Sequence, residues 1–166
     1  MKIILYQPQI PQNTGNIVRT CSAAAAGLVL VRPLGFSTNS RHLKRAGLDY
    51  WDGVNVEEID DLPAYLEGKP FYFFSSRAER SYTDAAYPSD ALLVFGSENA
   101  GLPDSFRKRW PDRFFRIPMP GQARCLNLSC AAAIVLFEAL RQHHLLNKEK
   151  RSESTRLSSA EVASGK

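Results

Sequence analysis

The chain has 166 residues, 44% of them hydrophobic and 23% charged, with a formal net charge of +4, ordinary values for one globular domain with a sizeable core. No apolar run reaches the ~18 residues that cross a bilayer, and Ile3–Tyr6 is too short for a signal-peptide core, so a cytoplasmic protein with no membrane contact is expected. Cys21, Cys125 and Cys130, with His42, His143 and His144, form neither a disulfide framework nor zinc-finger spacing, and no structural metal is expected.

In chain order, Lys2–Tyr6 reads as a buried strand ended by the Pro8/Pro11 loop. Thr14 is placed to cap a helix to about Ala26, with Gly27 as its stop. Strand Leu28–Val31, a short basic helix Arg41–Gly47 and strand Val54–Ile59 follow. Asp60 or Asp61 caps a short helix that ends at Gly68. Phe71–Phe74 and Leu92–Phe95 are apolar strands, and Pro103 opens a helix reaching about Trp110. Phe114–Ile117 is the last strand, and Leu126–Leu146 the longest helix. From Lys148 the chain is polar and lacks the apolar content that offsets ordering entropy. The reading is one domain over 1–147 and a disordered tail over 148–166.

Alternation of strands and helices predicts an α/β protein with a mainly parallel sheet flanked by helices. Ligands bind such sheets at the carboxyl ends of the strands, here the loops after Tyr6, Phe74, Phe95 and Ile117.

Three of those loops are unusual. Pro11-Gln-Asn-Thr-Gly-Asn-Ile-Val-Arg-Thr20 places Arg19 one turn after Asn16, so both share a helix face. An arginine there suits a phosphate; an ordinary strand-to-helix loop with a surface arginine is the plainer reading. Leu93-Val-Phe-Gly-Ser-Glu-Asn-Ala-Gly-Leu-Pro103 resembles a nucleotide-binding turn without being the GxGxxG fingerprint. Within it, Glu98 either caps the following amides or takes part in function. Arg116-Ile-Pro-Met-Pro-Gly-Gln-Ala-Arg-Cys-Leu-Asn-Leu-Ser129 is a stiff loop whose backbone can read an adenine edge with little entropy cost. Two basic clusters, Arg41/Lys44/Arg45 and Arg107/Lys108/Arg109, are either phosphate contacts or solvated faces.

The order and spacing of these stretches resemble the SPOUT (SpoU–TrmD) class of RNA methyltransferases, and most closely its smallest branch, the tRNA (cytidine/uridine-34-2'-O)-methyltransferases. The likeness runs from about residue 3 to 142. It includes Leu5-Tyr6, Asn13-Thr-Gly-Asn-Ile with Arg19, Arg45-Ala-Gly-Leu-Asp-Tyr50, Phe95-Gly96, Glu98, Gly101-Leu-Pro103, Ile117-Pro-Met119 and Arg124 to Ser129. The resemblance implies a C-terminal deep trefoil knot, S-adenosylmethionine as methyl donor and a homodimer that completes the active site at its interface. It places Phe74, Gly96, Ile117 and Cys125 at cofactor-contacting positions, with Met119 and Leu126 beside them. Cys125 departs from the serine more often found in the family.

The implied reaction is 2'-O-methylation of the wobble nucleotide in the tRNA anticodon loop. Arg19 is the first catalytic candidate, as an orienter of the substrate phosphate, followed by Asn16, Glu98 and Ser129. Arg41, Lys44, Arg45 and Arg124 are the candidate RNA contacts. The alternatives are 2'-O-methylation of another tRNA position or of ribosomal RNA, and a non-catalytic RNA-binding module of the same fold.

Overall fold

The apolar runs become the strands of one sheet in the computed structural model, which describes residues 1–37 and 53–143. The strands are β1 (Lys2–Tyr6), β2 (Gly27–Val31), β3 (Val56–Ile59), β4 (Phe71–Phe74), β5 (Arg80–Ser81), β6 (Leu92–Phe95) and β7 (Phe114–Arg116). Their spatial order is β3-β2-β1-β6-β4-β7-β5, and every neighbouring pair is parallel. β4 (FYFF) and β6 (LLVF) are buried at every position, as parallel strands covered on both faces must be.

The helices are α1 (Pro11–Ala24), α2 (Leu62–Leu66), α3 (Asp104–Arg109) and α4, which covers 128–143 of the described residues. Strand alternation sorts the core into two layers. Ile3 and Leu5 pack with Ile17 and Val18 of α1 and with Val135, Leu136 and Ala139 of α4. Ile4 and Phe73 pack on the other face with Leu62 and Leu66 of α2 and Phe106 of α3.

The topology decides where a ligand can sit. The chain lays down β1, β2 and β3 outward in one direction, then crosses to place β4 on the far side of β1. β6 fills the gap between β1 and β4, and β7 adds beyond β4. The order therefore reverses between β1 and β6, and a crevice opens at the carboxyl ends of the strands around such a switch point.

Several local expectations change. The first helix is not capped by Thr14. It starts at Pro11, with Ile10 as N-cap and no side-chain cap of its own, because proline suits the first helical position. Thr14 is fully buried inside the helix, and its hydroxyl finds no hydrogen-bond partner among the described residues. Gly27 is not the stop: Ala25 takes the left-handed conformation (φ 50°), Ala26 N donates to Cys21 O at 2.9 Å, and Gly27 already opens β2. Asp61, rather than Asp60, caps α2 by accepting from Ala64 N at 3.0 Å. Pro103 is the N-cap of α3 rather than its first turn. The last strand ends at Arg116, one residue short of Ile117. The two-residue edge strand β5 was not foreseen; it is too short to show a period. The expected basic helix Arg41–Gly47, His144 and the tail from Lys148 lie outside the described residues. No helix among the described residues is long and apolar enough to cross a membrane.

Candidate active site

The loops after β4, β6 and β7 enclose a cavity of about 920 Å³ at the switch point, within reach of the first residues of α1 and α4. All six residues expected to touch a cofactor line it: Phe74, Gly96, Ile117, Met119, Cys125 and Leu126. Glu98 and Arg124 line it too. Phe74 stacks on Phe95 with ring centroids 5.0 Å apart and planes 21° apart, which gives one wall a rigid aromatic surface. The loop after β6 closes on itself. Ser97 N donates to Gly101 O at 3.2 Å, Gly101 N to Ser97 O at 2.9 Å, and Ala100 N to Ser97 Oγ at 3.2 Å. Gly101 adopts φ +70°, a conformation that glycine takes without steric cost. Gly96 must lack a side chain, because a Cβ there would fall 2.2 Å from the Gly101 carbonyl carbon.

Glu98 is engaged in an unforeseen way. Its carboxylate accepts from Gln9 N (2.8 Å), Ile10 N (3.2 Å) and Asn13 Nδ2 (3.0 Å). It thus serves the amides that enter α1, not the amides that follow it. Asn13 Oδ1 in turn accepts from Asn127 Nδ2 at 3.0 Å. Asn127 Oδ1 accepts from Ser129 N at 2.9 Å and from the Ser129 hydroxyl at 2.7 Å, which caps the start of α4. Each donor in this chain points toward the carboxylate, so the anion fixes the orientation of both amide side chains. The network joins the β6 loop, α1 and α4, three segments remote in sequence.

The cavity does not collect every candidate. Asn16 and Arg19 share the exposed side of α1, as their spacing implied, and do not line this chain's cavity. Ser129 lies just inside α4, its hydroxyl proton committed to Asn127. Arg41, Lys44, Arg45 and the stretch to Tyr50 lie outside the described residues. Asn13, whose side chain can bond either the backbone or a ligand, bonds Glu98 and Asn127 instead; its pairing with an asparagine more than a hundred residues away is not revealed by spacing. Of the three cysteines, Cys125 and Cys130 are exposed and Cys21 is buried on the inner face of α1. Burial pushes the Cys21 thiol up to about 12, which keeps it protonated and unreactive.

Known proteins agree with this geometry. A family model described as the SpoU rRNA Methylase family matches residues 1–137. A protein of Methylovorus glucosotrophus named tRNA (cytidine(34)-2'-O)-methyltransferase is 42% identical over 145 residues, covering 85% of this chain and 94% of its own. A solved structure described by the 2-OH methylation of C/U34 on tRNA is 44% identical, with a TM-score of 0.81, covering 86% of this chain and 95% of that one. An AdoMet-bound rRNA methyltransferase from Sinorhizobium meliloti is 29% identical, with a TM-score of 0.77, over 84% of this chain and 55% of that one. With more than two thirds of its residues inside the family match and its strand order and cavity in place, the chain belongs to the SpoU methylase family.

Proposed function

We propose that this protein methylates the ribose 2'-oxygen of the wobble nucleotide of tRNA, cytidine or uridine 34, using S-adenosylmethionine. The observation that carries the reading is the convergence of Phe74, Gly96, Ile117, Met119, Cys125 and Leu126 on one cavity at the switch point. Its volume, about 920 Å³, suits a nucleoside-sized ligand. The aromatic pair Phe74/Phe95 offers a face to an adenine, and the backbone around Ile117 and Met119 offers hydrogen bonds to its edge. When bound, the cofactor supplies a methyl group made electrophilic by a sulfonium. A thiol at Cys125 is a weaker hydrogen-bond partner than the usual serine, and no covalent role is assigned to it.

The chain's own contribution is orientation and charge. Arg19 offers a planar fork of donors and no acceptor, so it acts as a clamp on the substrate phosphate rather than as a base. Alignment of the 2'-oxygen is the larger part of the gain. Glu98, through Gln9, Ile10 and Asn13, sets the position of the helix that bears Asn16 and Arg19. Arg124 on the cavity wall meets the anticodon-loop backbone, and Arg41, Lys44 and Arg45 are assigned the same task.

Arg19 stands outside this chain's own cavity, so a second copy is needed to bring it there. The outer side of α4 leaves Phe137 53% and Ile134 38% exposed, which supports a homodimer formed through this helix. Residues 117–127 leave β7 beyond β4 and reach Asn13 before entering α4, a path that supports the deep trefoil knot. A tRNA substrate supports a cytoplasmic location.

The test is methyl transfer from labelled S-adenosylmethionine to total tRNA of cells lacking the protein, followed by nucleoside mapping. Label in a 2'-O-methylated nucleotide 34, lost in Arg19→Ala with cofactor affinity retained, is expected. Label in ribosomal RNA alone, or an Arg19→Ala protein with full turnover, overturns the assignment.

A further inference from the structure

Among the described residues, cations at the two ends of the sheet differ in whether a carboxylate pairs with them. Near β2 and β3, Lys2 pairs with Glu57 at 2.6 Å, and Arg32 with Glu58 and Asp60 at 3.0 and 3.1 Å. Rings hold cations at both ends, as where Lys69 lies 3.8 Å from the Tyr65 centroid, but beyond β4 the arginines have rings without a carboxylate. Arg107 lies 4.9 Å from the Phe114 centroid, Arg109 4.5 Å from Trp110 and Arg113 5.2 Å from Phe71. No carboxylate within ion-pair distance is described for any of the three.

These rings are one cluster. Trp110 is 5.5 Å from Phe71 and 5.6 Å from Phe73, and Phe73 is 4.8 Å from Phe114. The three guanidinium groups therefore cap one aromatic patch on the α3 face of the sheet. A ring face holds a guanidinium plane in place without neutralising its charge. The patch runs into the cavity: Arg107 and Arg77 both line it, and Arg107 Nη1 donates to Arg77 O at 3.1 Å. Residues 77–80 and 104–116 hold seven Lys/Arg against three Asp/Glu, an excess equal to the formal net charge of the whole chain, +4.

We infer that Arg77, Arg107, Arg109 and Arg113 form an RNA-backbone track that leads from the cavity mouth across α3 and holds tRNA phosphates flanking the target nucleotide. The inference rests on the proposed tRNA substrate and assigns it a second contact surface, apart from α1 and the 117–127 loop. Arg107 also donates from Nη2 to Ser75 Oγ at 3.4 Å, but with no carboxylate partner described the guanidinium groups of the track keep their charge for phosphate oxygens. Their charge serves affinity and not sequence choice, since backbone contacts position without reading bases.

The experiment compares the full chain with Arg109→Gln/Arg113→Gln, both outside the cavity, and with Arg109→Lys/Arg113→Lys, which keeps the charge. Filter binding of tRNA across a salt series is read beside methyl-transfer kinetics, S-adenosylhomocysteine affinity and thermal unfolding. Expected for the glutamine pair is a KM for tRNA about tenfold higher with kcat within about twofold, and a slope of log affinity against log salt shallower by about 1.5. Cofactor affinity should hold, and the lysine pair should recover most of the binding. Unchanged KM and salt slope in the glutamine pair overturn the track, and so does a loss that the lysine pair shares in full, which marks the arginines as packing alone. A wild-type protein that binds tRNA with this salt dependence yet transfers no methyl group removes the proposed reaction and leaves the track standing.

Discussion

Replacing Gly96 by alanine probes the cavity at its tightest point. The new Cβ would sit 2.2 Å from the Gly101 carbonyl carbon, 2.4 Å from Leu102 N and 2.6 Å from Gly101 O. Non-bonded carbons rest at about 3.5–4.0 Å, so the Gly101–Leu102 backbone must retreat by more than about 1 Å. It is tied to Ser97 by two hydrogen bonds, at 2.9 and 3.2 Å, which the retreat breaks. Overpacking of this kind costs about 1–3 kcal/mol, and each lost backbone bond adds about 0.5–1.5 kcal/mol. The displaced residues are cavity wall, and a shift of about 1 Å in a positioning element costs on the order of 100-fold in rate. Calorimetric titration with S-adenosylhomocysteine and thermal unfolding of Gly96→Ala are read beside Gly121→Ala, where an added Cβ meets nothing within 4 Å. The Gly121 variant should behave as wild type while the Gly96 variant melts earlier and binds weakly. A Gly96→Ala protein with wild-type affinity and melting temperature would refute the cavity geometry.

Glu98→Ala removes the acceptor for Gln9 N, Ile10 N and Asn13 Nδ2 and should cost about 2–3 kcal/mol in urea unfolding; a midpoint unchanged from wild type sinks the bracing role. Native protein should expose two thiols to a disulfide reagent, Cys125 and Cys130, with buried Cys21 reacting only after unfolding. S-adenosylhomocysteine should slow labelling of Cys125, which lines the cavity; equal labelling rates with saturating ligand would count against the cofactor assignment. At the amino end of the sheet, hydrogen bonds from Lys2 and then Tyr65 hold the Glu57 carboxyl below its ordinary range. Glu57 ionises more readily in the folded state, so its contribution is present above the ordinary carboxylate value and fades as pH falls toward the depressed one. Urea midpoints of Glu57→Gln should fall less than those of wild type between about pH 5 and about pH 3; parallel declines would remove Glu57 from the acid response.

What the sequence made legible is what local physics decides. Phe71–Phe74 and Leu92–Phe95 announce themselves as short apolar runs, and both are strands buried on both faces. The switch-point loops are legible too, since alternation of strands and helices fixes a parallel sheet and therefore the end at which ligands sit. Strand order was beyond reach: nothing in Leu92–Phe95 says that it inserts between β1 and β4. The two-residue strand β5 was missed because a period cannot be read from two residues.

Helix ends failed for a related reason. Thr14 has the residue type of a cap, and Gly27 that of a stop, yet neither is used so. The amides of Gln9 and Ile10 ahead of α1 are satisfied by Glu98, 89 and 88 residues later in the chain. Pro11 has no N–H to cap and Asn13 N donates to Ile10 O at 3.1 Å, so the helix begins without a side-chain cap of its own, while Glu98 takes the two amides just ahead of it. The same remote contact explains why Glu98 could not be resolved between capping and function from sequence. It caps, but across the switch point, and by doing so it fixes the distance between the wall that would hold a cofactor and the helix that carries Arg19. With Asn13 and Asn127 passing the constraint on to α4, movement of any one of the three segments breaks a bond to a charged acceptor, directly or through one amide. In a reaction that gains chiefly from alignment, such a brace outranks any acid–base role that its carboxylate could have been given.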